Sequence, residues 1–282
     1  MGVSIIIPFC DKDFCYIKDI LSKIDTNVKI QHEVILLDNR ENKNYKVEGK
    51  FDKIVINEHN GYNYSRKKAV PEATMEYIWF IDADDTIYEI DETFNDILNK
   101  NYDSIDFLFT DDLNKFCFYK DKKIVDFFTD TILWNRWIKT NCCLKAFKDL
   151  SDCKLCFSDD VILCYALGNV CKNNFKSDKK IYHYHNNRSL IHNNKKISDK
   201  AIDEMFIGIG HYKEELRKIN HEGNTSTLVE DMISMAEKSE NQKRTLNIII
   251  QEFNEKKDLK ILYTHLVKAG FTIDEIMEKF KI

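Results

Sequence analysis

The sequence lacks any apolar run near the roughly 18 residues that a membrane span needs. Membrane contact is therefore at most peripheral. It also lacks a strong charge of either sign: the net charge is -5 and the pI about 5.9. A protein built to coat nucleic acid is excluded on that ground. The lysine pairs Lys67-Lys68, Lys179-Lys180 and Lys195-Lys196 are short and read as solvated surface. A leader is not expected, because Val3 to Ile7 is too short for a signal sequence and has no basic segment before it. The nine cysteines are odd in number and form no framework, which suggests free thiols and a reducing cytoplasmic setting. Cys153 and Cys156 are spaced C-x-x-C, but no second pair completes a zinc site, so they read as small buried hydrophobes. Only two prolines and eight glycines occur. With lysine, asparagine and isoleucine abundant, this scarcity reads as coding bias rather than architecture. No internal repeat at a solenoid period is present.

What remains is the composition of a globular protein, 43% hydrophobic and 32% charged. The length of 282 residues suits one large α/β domain with a smaller appendage. Val3-Ile7, Val34-Leu37, Ile54-Ile56 and Tyr77-Ile81 are short apolar runs, the form of buried parallel strands. Helical spacing lies between them, over about 12–25 and about 62–74. Alternating strands and helices predict a doubly wound sheet, in which ligands bind beyond the carboxyl ends of the strands. Pro8, Asp38 and Asp82 fall at such ends. Further strands are expected over Ile105-Thr110, Phe116-Tyr119 and Lys180-Tyr184, with a helix beginning near Asp159. Residues 130–147 are aromatic and basic. From about residue 198 the pattern becomes charged, amphipathic and helical. The expected organisation is an α/β domain over 1–197, with a donor half to about 100 and an acceptor half after it, and a helical domain over 198–282.

Asp82-Ala83-Asp84-Asp85 follows directly on an apolar strand. Crowded carboxylates are costly unless a cation neutralises them. Mn²⁺ or Mg²⁺ shared with the phosphates of a nucleotide would complete such a site. Around it stand Ser4-Ile5-Ile6-Ile7-Pro8, Glu33 to Asn39, Asn60-Gly61 and Ser65-Arg66. In order and spacing this set resembles family 2 of the glycosyltransferases, which have the GT-A fold, a Rossmann-like mixed sheet flanked by helices. Trp134 to Lys139, Ser158-Asp159-Asp160 and Tyr182 to His185 with Arg188-Ser189 extend the resemblance to about residue 191.

The resemblance implies an inverting transfer of a sugar from a nucleotide diphosphate, with a UDP-sugar as the expected donor and a metal as cofactor. It places Asp38 at the base, Pro8 and Phe9 along its pocket, and Arg66 by the base or phosphates. Asp82 and Ala83 would lie on the donor, Asp84 would be the direct metal ligand with Asp82 secondary, and His185 would reach the metal or diphosphate. Asp160 would be the general base, with Asp159 as its neighbour. Trp134, Trp137 and His183 would lie on the acceptor side. The acceptor would be a saccharide, lipid-linked or protein hydroxyl, and the family's commonest work is surface-polysaccharide assembly. The chain departs from the family's pattern at Cys10-Asp11, Arg40-Glu41, Lys67 and Asp159, which bear on base and sugar choice. Two other readings compete. A sugar-phosphate nucleotidyltransferase would need a glycine-rich basic loop, and Phe9 to Phe14 holds no glycine and one lysine. A non-catalytic nucleotide-sugar-binding or assembly module would show a degraded acidic motif, whereas all five carboxylates are present. The helical tail could close over the site or join two copies as a homodimer.

Overall fold

In the computed structural model, residues 1–57, 62–112, 127, 131–151, 159–185, 199–221, 226–253 and 256–280 are described. The expected strand Phe116-Tyr119, the Asn60-Gly61 turn, the Cys153/Cys156 pair, Ser158 and Arg188-Ser189 lie outside them, as does the side chain of Asp159. The chain divides into two compact units. One is formed by Met1–Leu155 with Asp159–Ser189, the other by Cys156–Ser158 with Leu190–Ile282.

The first unit is built on eight strands: β1 (Val3–Phe9), β2 (His32–Asp38), β3 (Lys53–Ile56), β4 (Tyr77–Phe80), β5 (Thr86–Ile87), β6 (Ser104–Asp111), β7 (Arg136–Lys139) and β8 (Asn174–Tyr184). They form one sheet in the order β3-β2-β1-β4-β7-β6-β8-β5. The first four are mutually parallel, as continuous apolar runs predict. β7 then enters antiparallel between β4 and β6. Helices α1 (Phe14–Asn27), α2 (Tyr62–Ala69), α3 (Asn95–Leu98), α4 (Thr140–Lys148) and α5 (Asp159–Val170) accompany it.

The side chains of a strand alternate between faces, and this divides the core. Ile5, Ile7, Leu36, Trp79 and Trp137 join Ile17, Ile20, Leu21 and Ile24 of α1 in one buried cluster. Full burial of each such aliphatic side chain contributes about 1.5–3 kcal/mol. The expected helix over 62–74 ends at Ala69, and Val70–Glu72 continues as a tight 3₁₀ turn. Pro71 supplies no N–H and crowds the preceding turn, so α2 stops there. Residues 130–147 resolve into β7 and α4. The period-2 signal of β7 was hidden because the strand is only four residues long and all but its last residue are buried.

The second unit contains α6 (Asp199–Lys218), α7 (Ser226–Ala236), α8 (Gln242–Glu252), α9 (Lys256–Lys268) and α10 (Ile273–Phe280). A capping box opens α10 between Thr272 and Glu275. The Thr272 N–H donates to Glu275 Oε2 at 2.7 Å, and the Glu275 N–H donates to Thr272 Oγ1 at 3.2 Å. Among the described residues, no helix is long and apolar enough to cross a membrane.

Candidate active site

The parallel register brings the ends of β2 and β4 to either side of β1. Phe9 lies opposite Asp38, and Ile6 opposite Phe80. Asp82 and Asp84 follow β4 and are partly exposed, while Ala83 is buried. The acidic turn runs directly into β5. There Thr86 pairs with His183 and Ile87 with Tyr182.

Asp85 is the latch of this turn. It is 3% exposed. Its Oδ2 accepts from the Tyr182 hydroxyl at 2.7 Å, and its Oδ1 accepts from the His185 backbone N–H at 2.8 Å. The Tyr182 oxygen in turn accepts from the Asp82 N–H at 3.1 Å. Burial, then the charges of Asp85 and Asp82, push the Tyr182 phenol well above its ordinary pKa. It therefore stays a neutral donor to Asp85. Sequence reasoning passed over Asp85, although its place as the fourth residue of the acidic run was visible.

Asp82 is crowded. Burial and Asp85 raise its pKa well above the ordinary carboxylate value, Arg66 opposes them, and Asp160 and Asp84 add to the rise. Its side chain is nevertheless 39% exposed. Arg66, on α2, is buried and bridges two elements. Its Nη1 lies 3.0 Å from Asp160 Oδ1 at the start of α5, and its Nη2 lies 4.0 Å from Asp82 Oδ1. The structure thus brings Arg66, Asp82 and Asp160 together. A buried network positions Arg66. Asn57 Nδ2 donates to Asn39 Oδ1 and to Ser65 Oγ, each at 2.8 Å, and Ser65 Oγ donates to Asn39 Oδ1 at 2.5 Å. The ends of β2 and β3 are so tied to the residue beside Arg66. Asn39 was legible only as the residue after Asp38.

His183 and His185 share one face of β8, as their spacing predicts. With Asp112, just past β6, they form a group whose ligand atoms all lie within 4.8 Å of one another. Asp112 Oδ1 is 3.1 Å from His183 Nε2 and 2.9 Å from His185 Nδ1. The other ring nitrogens meet threonines: Thr110 Oγ1 at 2.8 Å from His183 Nδ1, and Thr86 Oγ1 at 2.9 Å from His185 Nε2. Hydroxyls there fix ring orientation, as outer partners do around metal-ligating histidines. Two imidazoles and a carboxylate suit Mn²⁺ or Zn²⁺ better than Mg²⁺, which prefers oxygen donors. His185 therefore lies where a cation could be held. His183, expected on the acceptor side, belongs to this same group. Asp82 and Asp84 are not part of it. Asp112 was missed because nothing in the sequence links it to a stretch some 70 residues later; the parallel pairing of Thr110 with His183 makes that link.

Several expected contacts are corrected. Trp137 is fully buried and Trp134 nearly so. Trp134 stacks on Tyr182 and Tyr184, with ring centroids 4.5 and 5.3 Å away. Trp137 packs against Trp79 and Phe107. Both are core residues, and neither offers a face to an acceptor. Phe9 is likewise fully buried, and Pro8 is buried beside it. Their side chains go into the sheet's own packing. Asp38 is 2% exposed and is engaged by Arg40. The cysteines described (Cys10, Cys15, Cys142, Cys143, Cys164 and Cys171) are all free thiols.

Residues 4–89 match the family model described as Glycosyl transferase family 2. No curated protein matches the chain. Among solved structures, S. aureus TarS 1-349 aligns over 100% of this chain and 89% of its own, with TM-score 0.55 and 16% identity. Its complex with UDP aligns over the same shares at TM-score 0.59 and 15% identity. Its complex with UDP-GlcNAc aligns over 100% of this chain and 90% of its own, at TM-score 0.54 and 15% identity. At such identities the likeness is one of fold. The curled mixed sheet is GT-A-like, and residues 4–89 are similar to glycosyl transferase family 2.

Proposed function

We propose that the chain is an inverting, metal-dependent glycosyltransferase that moves a sugar from a nucleoside diphosphate donor to an acceptor hydroxyl. The observation that carries this reading is Arg66, held between Asp160 and Asp82 at 3.0 and 4.0 Å. A donor-side acidic turn and a second carboxylate thereby share one cation, which puts a candidate base beside the donor site. UDP-sugars are the first donors to test, since the similar S. aureus structures include complexes with UDP and UDP-GlcNAc.

In this reading Asp160 accepts the proton of the acceptor hydroxyl as that oxygen attacks the anomeric carbon. A neutral hydroxyl is a poor nucleophile, and a placed carboxylate contributes through general-base catalysis. Asp159 is its sequence neighbour and the second candidate. Arg66 places a fixed positive charge where phosphate oxygens would lie, and a guanidinium suits them. Asp84, with Asp82 secondary, and His185 with its partners His183 and Asp112 are the residues that would hold a Mn²⁺-type cation. Such a cation, when bound, neutralises charge developing on the leaving diphosphate.

The acceptor is a saccharide, lipid-linked or protein hydroxyl, as in surface-polysaccharide assembly at the cytoplasmic face. The helical segment over 198–282 is a separate domain that joins two copies. The test is a donor screen on the full chain. UDP-, GDP- and dTDP-sugars with Mn²⁺ are assayed by thermal shift and by release of the nucleoside diphosphate. Stabilisation and turnover by one donor class are expected. A chain that neither binds nor hydrolyses any of them is not a transferase of this kind.

A further inference from the structure

Arg40 stands two residues past the β2 carboxyl end, at a position where the chain departs from the family's pattern. Its guanidinium makes a two-point ion pair with Asp38. Nε donates to Oδ1 at 2.9 Å and Nη2 to Oδ2 at 2.7 Å, while the Arg40 backbone N–H donates to Oδ1 at 3.0 Å. A carboxylate offers about four acceptor positions, so three of them are used. Nη1 donates to the Tyr45 carbonyl at 2.9 Å. The guanidinium lies 4.4 Å from the Phe14 ring centroid and 5.3 Å from that of Phe9. The side chains of Arg40 and Asp38 are 4% and 3% exposed. The pair is closed to solvent.

We propose that Arg40 withholds Asp38 from the donor's base, so that this chain recognises its nucleotide without the carboxylate that would select uracil. The inference rests on the nucleotide-donor reading above. Its chemistry is simple. A carboxylate can only accept hydrogen bonds, and the one ring N–H of a uracil nucleotide is at N3. A free Asp38 would therefore reward a uracil bearing that hydrogen. A lysine at position 40 keeps a cation beside Asp38 but cannot hold both oxygens in a planar fork. Arg40 acts here as a positioning residue, through Asp38.

The experiment compares UDP with its N3-methyl derivative by isothermal titration, with Mn²⁺, on the full chain and on Arg40→Lys and Arg40→Ala. Circular dichroism checks that each variant is folded. The ratio of the two affinities within one protein cancels any general loss of binding. The wild-type ratio is expected to lie within about threefold of one, since no hydrogen bond is lost on methylation. In Arg40→Lys, with Asp38 partly released, UDP should gain about tenfold over the methylated compound, the value of one hydrogen bond to a charged group. A wild-type chain that already rejects the methylated base tenfold overturns the proposal, as does a ratio unchanged in both variants. Binding of UDP by a variant alone supports it in its strongest form. If wild type and both variants bind neither compound, nor GDP or dTDP, the donor reading itself has failed, and this inference with it.

Discussion

Arg66 Nη1 lies 3.0 Å from Asp160 Oδ1, a contact that joins α2, the helix after β3, to the start of α5. It lacks hydrogen-bond geometry, and Asp160 Oδ1 has no hydrogen-bond partner. That oxygen is thus neutralised by charge without being held by a directional bond, which leaves a lone pair for a substrate hydroxyl.

From this follows the test of the base. Asp160→Asn keeps the shape and removes the proton acceptor. Transfer should fall about 10²- to 10⁴-fold, the usual worth of a positioned general base. Affinity for the nucleotide should stay within about twofold, because the asparagine leaves Arg66 in place. Steady-state transfer and nucleotide titration are measured on one preparation. Full activity would remove Asp160 from the mechanism.

The Asp112, His183 and His185 group makes a separate claim about the metal. Mn²⁺ or Zn²⁺ should raise the melting temperature more than Mg²⁺, because imidazole donors suit the former. At a hundredfold excess over the dissociation constant, a ligand adds about 2.7 kcal/mol to stability. His183→Ala with His185→Ala should abolish that increment. Asp112→Asn should weaken it, since one charged ligand is lost. An increment that persists in the double histidine variant would place the cation on the acidic turn alone.

How far the sequence foretold this arrangement depends on which force set each part. β1, β2 and β4 were legible because burial on both faces makes continuous apolar runs, whereas β3, expected as buried, is an edge strand that leaves Ile54 and Ile56 exposed. Asp82, Arg66 and Asp160 were legible through motif spacing. Asp112 was not, because its partners reach it only through the pairing of β6 with β8. Trp134 and Trp137 were misplaced for a different reason. An aromatic residue looks alike in a sequence whether it meets a sugar or a core, and only burial decides. Arg40 was visible as a departure, but its clamp on Asp38 depends on a side-chain conformation that no pattern encodes.

The Asp38-Arg40 pair has a pH signature of its own. Burial opposes the charge on Asp38, but hydrogen bonds from Arg40 outweigh it and hold the carboxyl below its usual pKa. A carboxyl depressed in the folded state stabilises the fold above its unfolded value. That contribution is lost as pH falls through the folded value. Asp38→Asn should cost about 3–5 kcal/mol at neutral pH, because it leaves Arg40 buried without its charge partner. The gap between wild type and variant should narrow below about pH 4, where an ordinary carboxyl protonates. Urea unfolding at neutral pH and in acid gives both values. A gap that is constant, or that widens in acid, would contradict the assignment.

Arg136 carries the last prediction, because it is a charged residue buried in the core between two acceptor-side candidates, Trp134 and Trp137. It is 1% exposed. Its Nε and Nη2 donate to Asp106 Oδ1 and Oδ2 at 2.8 and 3.1 Å, across the β6-β7 register that pairs the two residues. Its guanidinium also lies 4.4 Å from the Phe127 ring centroid. Removing one member of such a pair leaves the other charged and buried, so Arg136→Met alone should cost about 3–5 kcal/mol. Arg136→Met with Asp106→Leu removes both charges and should recover most of that loss, since an apolar pair of similar volume avoids the desolvation penalty. The two changes therefore couple strongly, and a double-mutant cycle in urea measures it. Transfer by the double variant should remain within about threefold of wild type, since the loss at stake is one of packing rather than of transition-state contacts. A double variant that is stable but inactive would place Arg136 on the acceptor side. An inactive single variant that regains activity with stability in the double would keep it in the core.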